Sequence, residues 1–202
     1  IVNVAGAFLS ALYGIKDILE YANDSFGTRF DVSVMEPDAF IATRRKVKFV
    51  IVPPFRMGPL AEGYSPDGAL VFALKRAIAR GCVPVSVCAG AYYLCATGVV
   101  DGKMITTHWQ LASDIGRRFP AVIVKKERIL IDGGSYIAAG GITSFQDLSL
   151  HLVRTNISPE AALEVARSFL INPGNRTQLQ YIKLGIEERD EGDIVGRAKA
   201  FI

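Results

Sequence analysis

The stretch VPVSVCAGAYYLCATG, Val83–Gly98, decides the fold. An apolar, β-branched run passes into Cys88, and small residues then open a helical pattern. Small residues after a strand permit a tight strand-to-helix turn, which places Cys88 at the carboxyl edge of a sheet. Open parallel sheets hold their sites at that edge, so Cys88 is the first candidate for a functional residue.

Short β-branched runs alternate with helical patterns along the whole chain, which predicts a parallel sheet covered by helices on both faces. Two of the predicted helices begin with a Ser-Pro pair, in which the serine is the N-cap and the proline the first helical residue. The predicted strands are 1–5, 31–35, 48–52, 84–87, 103–107, 128–132 and 136–139. The predicted helices are 65–81 (N-cap Ser65, stop Gly81), 110–119, the largely buried 142–155, and 158–173 (N-cap Ser158, end Pro173).

The composition describes one ordinary domain of 202 residues, of which 50% are hydrophobic. The net charge of +3 is weak, and the basic clusters at 44–48 and 125–128 are interpreted as solvated strand ends rather than a nucleic-acid footprint. No apolar run approaches the roughly 20 residues of a membrane span, and "IVNVAGAFL" does not have the pattern of a signal peptide. Three clustered cysteines fit neither a disulfide framework nor a zinc site, and favour a reducing cytoplasm.

The end of the chain changes character. A charged, glycine-bearing stretch leads into an apolar stripe at helical spacing, and the chain stops within that pattern. We therefore expect one domain over 1–185 and a linker with the start of a further helical domain over 186–202, and we expect the natural protein to continue. The stripe consists of Ile194, Ala198, Phe201 and Ile202.

The cysteines and histidines supply the candidate chemistry. Cys88 faces the amino end of a helix, which favours the thiolate, although a buried core cysteine fits the same pattern. His108 follows the strand 103–107 and would emerge at the same edge as a general base, unless it packs against Trp109. His151 is interpreted as a structural, hydrogen-bonded histidine, and Cys82 and Cys95 as packing residues.

The segment "SVCAGAYYLCATGVVDGKMITTHWQLASDIGRRFP" closely resembles the signature block of the PfpI-like, class I glutamine-amidotransferase-like superfamily. It is most similar to the N-terminal domains of AraC-type, GlxA-like bacterial transcription regulators, and the resemblance extends through "GITSFQDLSLHLV", "ALEVARSFL" and "NPGNRTQLQYI". The resemblance implies a flavodoxin-like three-layer α/β/α sandwich with a cysteine nucleophile-elbow turn. It also implies that 186–202 begins a truncated helix-turn-helix DNA-binding domain.

Departures from the superfamily's enzymes favour binding over catalysis. In the similar isocyanide hydratases an aspartate works beside the cysteine, whereas "SALYGIKD" has Ala11 at its place and Ile15 where they have proline. Glu20 is expected to face solvent, and Asp17 is the remaining carboxylate to check. The superfamily enzymes take an oxyanion-hole N–H from a Pro-Gly-Gly loop, but this chain reads "VPPFRMGP", in which Pro54 has no N–H and Phe55 is bulky.

We therefore predict a ligand-sensing and dimerisation domain that binds a small metabolite near Cys88 without turnover. The predicted partners are a second copy of the chain, a small-molecule effector, and DNA only through the missing domain; no membrane, cofactor or metal is expected. Two alternatives remain: a cysteine-dependent isocyanide hydratase or amidohydrolase with Cys88 as nucleophile and His108 as base, and a cysteine-based redox sensor. The predicted ligand-binding residues are Pro54, Phe55, Cys88, Ala89, Gly90, His108 and Trp109.

Overall fold

A four-stranded sheet with helices packed against it forms the body of the protein in the computed structural model, which describes residues 1–57, 63–174 and 176–182. The helices are α1 (Leu9–Phe26), α2 (Pro37–Ala42), α3 (Gly68–Ala79), α4 (Ala91–Ala96), α5 (Ala112–Arg118), α6 (Phe145–Asn156) and α7 (Pro159–Ser168). The strands are β1 (Phe49–Val52), β2 (Val83–Val87), β3 (Met104–Ile105), β4 (Ile123–Val124), β5 (Leu130–Asp132) and β6 (Ile137–Ala139).

The main sheet has the strand order β1-β2-β6-β5. β2 pairs in parallel with β1 and with β6, and only β5 runs antiparallel to its neighbour β6. In this register Val85 lies opposite Ile137 and Val87 lies opposite Ala139. The predicted α/β fold with a mostly parallel sheet is confirmed.

Helices cover both faces of this sheet. In β6, Ile137 and Ala139 belong to a hydrophobic cluster that includes residues of α1, α6 and α7. The intervening Ala138 belongs to a second cluster with residues of α4 and α5. Since successive residues of a strand point to opposite faces, these two clusters lie on the two sides of the sheet.

The two N-terminal runs predicted as strands form only an isolated bridge, between Val2 and Met35. The Val2 N–H donates to the carbonyl of Ile51 at 3.0 Å, so this extended segment lies beside β1 without a regular ladder. The strand predictions for 1–5 and 31–35 are therefore wrong. β-branched composition identifies extended segments but not whether neighbouring backbone is in register with them.

The predicted strand 103–107 contributes only β3, and β3 lies outside the main sheet. It pairs in parallel with β4, a strand that the sequence reading missed, in a separate two-stranded sheet. The argument that placed His108 at the edge of the main sheet is therefore wrong in its premise. A hydrogen bond from the Thr107 hydroxyl to the Cys88 carbonyl (2.8 Å) nevertheless places this segment next to the Cys88 turn.

Helix α3 begins later than predicted. Its N-cap is Asp67, whose carboxylate accepts from the Leu70 N–H at 3.0 Å, rather than Ser65. Aspartate and serine cap equally well, so the sequence alone does not choose between them. Helix α7 begins as predicted, with Ser158 capping the Ala161 N–H, but it ends at Ser168, five positions before Pro173.

Helices α5 and α6 each follow a short 3₁₀ turn, formed by Trp109–Leu111 and Ile142–Ser144 respectively. The predicted helices 110–119 and 142–155 therefore include these turns. Six of the twelve residues of α6 are buried and only Arg154 and Thr155 are exposed, so the helix is largely covered, as predicted. None of the helices in the described ranges is long and apolar enough to cross a membrane. The predicted linker and helix start at 186–202 lie outside the described residues.

Candidate functional site

The turn after β2 holds Cys88 in a left-handed backbone conformation. Cys88 has a φ of 55° and begins a 3₁₀ turn, Cys88–Gly90, which leads directly into α4. Such a φ costs a non-glycine residue on the order of 1–3 kcal/mol, so the surrounding packing must maintain it. The turn has the sharp geometry predicted from the sequence, while a nucleophilic role for Cys88 stays a prediction.

Gly90 lies where this turn meets the end of β1. A Cβ at Gly90 would overlap the carbonyl oxygen of Val52 and lie 3.1 Å from its carbonyl carbon and 3.3 Å from the oxygen of Pro53. Backbone atoms of a buried strand end cannot swing aside as the tip of a flexible side chain can, so only glycine fits this position.

The Cys88 thiol lies in the protein interior. The residue is 6% exposed, and burial raises the pKa of the thiol to about 12, although a hydrogen bond with the Ala89 backbone acts in the opposite direction. This direction is opposite to the prediction that the amino end of the following helix favours the thiolate. Removal from water opposes the charged form more strongly, so the thiol is protonated at neutral pH.

All three cysteines are expected to resist alkylation in the folded protein at pH 7. The thiolate is the reactive form, and burial also raises the pKa of Cys82 to about 11 and of Cys95 to about 12. Iodoacetamide labelling followed by intact-mass measurement should give no adduct on the native protein and three adducts in urea. Rapid labelling of native Cys88 at pH 7 would contradict a buried, protonated thiol.

Aromatic rings join the loop after β1 to helix α4. Phe55 is 4% exposed, and its ring centroid lies 5.3 Å from that of Tyr64 and 6.0 Å from that of Tyr93. Tyr64 in turn lies 5.5 Å from Tyr92. We call these four residues the aromatic cluster. Phe55 and Tyr93 belong to the same buried hydrophobic cluster as Cys88.

Two backbone hydrogen bonds hold the loop after β1. The Phe8 N–H donates to the carbonyl of Pro54 at 2.9 Å, and the Arg56 N–H donates to the carbonyl of Gly6 at 3.0 Å. In such an extended pair the amide of the intervening Phe55 faces the other way. Pro54 has no N–H, so of the two loop residues Pro54 and Phe55 only Phe55 has a backbone N–H for a ligand oxygen.

His108 and Trp109 line an open cleft of about 580 Å³. Their rings stack with centroids 5.7 Å apart, and the Nδ1 of His108 accepts a hydrogen bond from the Gln110 N–H at 3.2 Å. Burial lowers the pKa of His108. Between the residues that the structure describes, no hydrogen bond joins the His108 ring to Cys88. The walls of this His108 cleft include His108, Trp109, Thr143, Arg176, Gln178 and Tyr181.

Gln178 ties the C-terminal segment 176–182 to the wall of the His108 cleft. Gln178 is only 2% exposed. Its side-chain Nε2 donates to the carbonyls of Thr107 (2.8 Å) and Arg128 (2.9 Å). Its Oε1 accepts from the Trp109 N–H at 3.2 Å. Gly140 accommodates this amide, because a Cβ there would lie 2.5 Å from Nε2.

No carboxylate of α1 takes the place of the aspartate that the similar enzymes have. Ala11 is fully buried and Ile15 packs in the core. Glu20 pairs with Lys16 on the surface, as the expectation of a solvent-facing Glu20 requires, and Asp17 is exposed. The described part of α1 therefore supplies no acid or base next to Cys88.

The structure divides the seven predicted ligand-binding residues into two groups. His108 and Trp109 line the His108 cleft, whereas the other five are buried and do not line it; the Cys88 carbonyl is linked to the cleft by its hydrogen bond with Thr107. The sequence reading missed Arg176, Thr143 and Gln178, which share the cleft. The only signal for them was the family resemblance, in which "NPGNRTQLQYI" contains Arg176 and Gln178 and "GITSFQDLSLHLV" contains Thr143. The buried group consists of Pro54, Phe55, Cys88, Ala89 and Gly90.

His151 lies apart from this site. Its Nε2 lies 2.7 Å from a carboxylate oxygen of Asp132, so it is hydrogen-bonded as predicted, although its side chain is partly exposed. Cys82 and Cys95 are buried free thiols, as a packing role requires. Within the described ranges, no group of three or more His, Cys, Asp or Glu side chains is placed to hold a metal ion.

Curated relatives of the chain include bacterial transcription regulators. The HTH-type transcriptional regulator CdhR of Pseudomonas aeruginosa is 30% identical over 125 residues, which cover 58% of this chain and 37% of CdhR. The HTH-type transcriptional regulator GlxA of Rhizobium meliloti is 26% identical over 84 residues, which cover 42% of this chain and 26% of GlxA. No protein-family model matches the chain.

Solved structures share the fold. An AraC family transcriptional regulator from Pseudomonas putida superposes with a TM-score of 0.69 at 15% identity, over 83% of this chain and 96% of that chain. By sequence the chain is similar to HTH-type transcriptional regulators, and its fold is shared with this AraC family protein. A THiJ/PfpI family protein from Pseudomonas syringae gives a TM-score of 0.65 at 20% identity, over 86% of this chain and 74% of that one. The chain thus has the PfpI-like, flavodoxin-like fold that the sequence predicted.

One curated relative of the chain is named as an enzyme. The isonitrile hydratase of Pseudomonas putida is 32% identical over 106 residues, which cover 52% of this chain and 43% of the enzyme. The matches to these three relatives span between 26% and 43% of the relatives' own lengths. Similarity alone therefore assigns neither an activity nor a partner to the chain.

Proposed function

We propose that this chain is the ligand-sensing and dimerisation domain of a cytoplasmic AraC-type transcription regulator and that it performs no catalysis. Its homology to HTH-type regulators supports the regulatory class. The observation that carries the proposal is a buried Cys88 whose carbonyl is hydrogen-bonded to Thr107, the residue before His108 in the open cleft. A ligand has room to bind, but the thiol has neither the ionisation nor the neighbouring base that nucleophilic catalysis needs.

The proposed effector is a small polar metabolite that occupies the His108 cleft. His108 and Trp109 contact it directly, and the cleft opens one residue away from Thr107, whose hydroxyl is bonded to the Cys88 carbonyl. Cys88 does not contact the effector in this proposal, and its carbonyl instead holds Thr107 in place. The other buried candidates, Pro54, Phe55, Ala89 and Gly90, do not line the cleft and do not contact the effector either.

Regulation requires that the effector bind two arrangements of the protein with different affinity, since a ligand that binds both equally shifts nothing. The Gln178 contacts supply a physical connection between the His108 cleft and the C-terminal segment 176–182. The Trp109 N–H and the Thr107 carbonyl both bond to the Gln178 amide, and Gln178 belongs to the last described segment of the chain. An effector that moves Trp109 would therefore also move Gln178, and with it the segment that leads toward the predicted DNA-binding domain.

Effector binding is expected to change the fluorescence of Trp109, the single tryptophan of the chain. A thermal-shift screen of small nitrogenous metabolites, followed by calorimetry, should find a ligand whose affinity falls about tenfold in His108→Ala, as expected for the loss of one good polar contact. His151→Ala is the matched control and should bind normally, as should Cys88→Ser within about threefold. Equal binding by His108→Ala would contradict the assignment of the cleft.

Dimerisation and regulation are tested on the same samples. Sedimentation velocity should show a dimer, and the effector should alter its dissociation constant or its hydrodynamic shape. A monomer at every concentration, with and without effector, would overturn the dimerisation part of the proposal and leave the binding result to be judged separately.

A catalytic alternative is favoured by one observation, the similarity to an isonitrile hydratase. Ala11 at the aspartate's place and Pro54 in the oxyanion loop count against it. Hydration of an isonitrile that Cys88→Ala abolishes would replace the binding proposal. The redox-sensor alternative requires an accessible, low-pKa thiol, which Cys88 is not; a peroxide adduct mapped to Cys88 would revive it.

A further inference from the structure

A second cavity, of about 490 Å³, lies at the opposite end of β1 from the Cys88 turn. It is bounded by the segments 29–35 and 43–51, and its floor includes Leu19 of α1, Phe40 of α2 and Leu152 of α6. We call it the β1-entry cavity, because β1 begins there with Phe49. It shares no lining residue with the His108 cleft.

The interior of the β1-entry cavity is apolar. Leu19, Phe40 and Leu152 are at most 6% exposed and form a closed hydrophobic floor. The side walls are different: Val32 and Val47 pack against the core but remain only partly buried. Apolar side chains that border an open volume gain free energy when an apolar group covers them.

The opening of this cavity is strongly cationic. Arg29, Arg45, Lys46 and Lys48 line it together with a single carboxylate, Asp31. The excess of positive over negative side chains at this opening equals the net charge of +3 of the whole chain.

Only part of this charge is paired. Arg45 pairs with Asp31, and Lys48 donates to the side-chain oxygen of Asn156 at 2.6 Å. Among the described residues, neither Lys46 nor Arg29 takes part in an ion pair. The rim therefore has cations available for an anionic group.

We propose that the β1-entry cavity binds an anionic amphiphile, a medium-chain carboxylate whose alkyl chain fills the apolar interior and whose carboxylate lies among Lys46, Lys48 and Arg29. A neutral hydrocarbon would leave the cationic rim unused. A small polar anion would leave the apolar walls uncovered. Only a ligand with both parts matches the interior and the rim, and the volume is in the range usual for small-molecule sites.

The test uses decanoate below its micelle concentration, with decan-1-ol and butanoate as comparison probes. Calorimetry and thermal shift should show saturable binding of decanoate, weaker binding of decan-1-ol because it lacks the charge, and no binding of butanoate because it lacks the chain. The Lys46→Gln, Lys48→Gln double variant should weaken decanoate about two- to fivefold and leave decan-1-ol unchanged, as expected for partly exposed ion pairs. Lys126→Gln, which removes an exposed cation elsewhere, is the matched control.

Filling the cavity provides the steric test. Val47→Trp should weaken decanoate at least about tenfold while the thermal unfolding remains cooperative; Val32→Phe serves if that variant does not fold. His108→Ala should bind decanoate normally, which separates this site from the proposed effector cleft. The proposal is overturned if decanoate shows no saturable binding, if the cavity-filled variant binds like the wild type, or if cavity filling instead changes the oligomeric state, which would assign the surface to a second copy of the chain.

Discussion

Gly90→Ala is expected to destabilise the protein by about 3 kcal/mol or more. The added methyl group would overlap the carbonyl oxygen of Val52 and crowd that of Pro53, and both belong to the backbone at the end of β1. To relieve the overlap, the Cys88 turn would have to move away from the sheet. Urea unfolding followed by circular dichroism measures the loss as a lower midpoint with an unchanged slope.

Gly116→Ala is the matched control for this variant. Gly116 lies in helix α5, and a Cβ there would meet no atom within 4 Å. Alanine should therefore be neutral or stabilise the helix by up to about 1 kcal/mol. If Gly90→Ala unfolds at the wild-type urea concentration, the close approach of the turn to β1 is not a feature of the folded protein.

Gln178→Leu is expected to cost about 3 kcal/mol and to change the fluorescence of Trp109. The leucine would leave the buried Thr107 carbonyl and the Trp109 N–H without their present partner, whereas the Arg128 carbonyl would keep the Thr106 hydroxyl at 2.6 Å. Each buried polar group left unpaired costs roughly 1–3 kcal/mol, and relaxation of the segment recovers part of the sum.

Gln180→Leu separates this effect from a general change in the C-terminal segment. Gln180 lies two residues further along and is exposed, so the same substitution there should leave both stability and fluorescence near those of the wild type. Equal effects of the two substitutions would mean that Gln178 does not connect the segment to the cleft.

Local sequence signals sufficed for the β2 turn, because every requirement of that turn lies within a few residues of Cys88: a β-branched run, then small residues, then a helical pattern. They failed for 1–5 and 103–107, where the pairing partner decides the structure. The same composition formed an isolated bridge in one case and a separate two-stranded sheet in the other. Strand pairing depends on residues far away in the sequence, and composition does not report it.

The candidate site was predictable in part for the same reason. The sequence placed His108 and Trp109 near the Cys88 turn on the premise of one shared sheet, whereas the structure brings this segment to the turn through the Thr107–Cys88 hydrogen bond. Gln178, which lies 70 residues beyond His108 in the chain, reaches the cleft only through tertiary packing. Nor did the sequence reveal that Tyr64 and Tyr93 close the space around Phe55, since their rings come from different segments.

The hydrogen bond between the Gln110 N–H and the His108 ring has a consequence for proton transfer. A neutral imidazole carries one proton, and because Nδ1 accepts from Gln110, that proton resides on Nε2. Burial lowers the pKa of His108, which keeps this tautomer neutral at pH 7. The ring therefore has no free lone pair with which to deprotonate a thiol. The ring keeps a single N–H donor at Nε2 instead, so we expect the proposed effector to present a carbonyl or carboxylate oxygen to it.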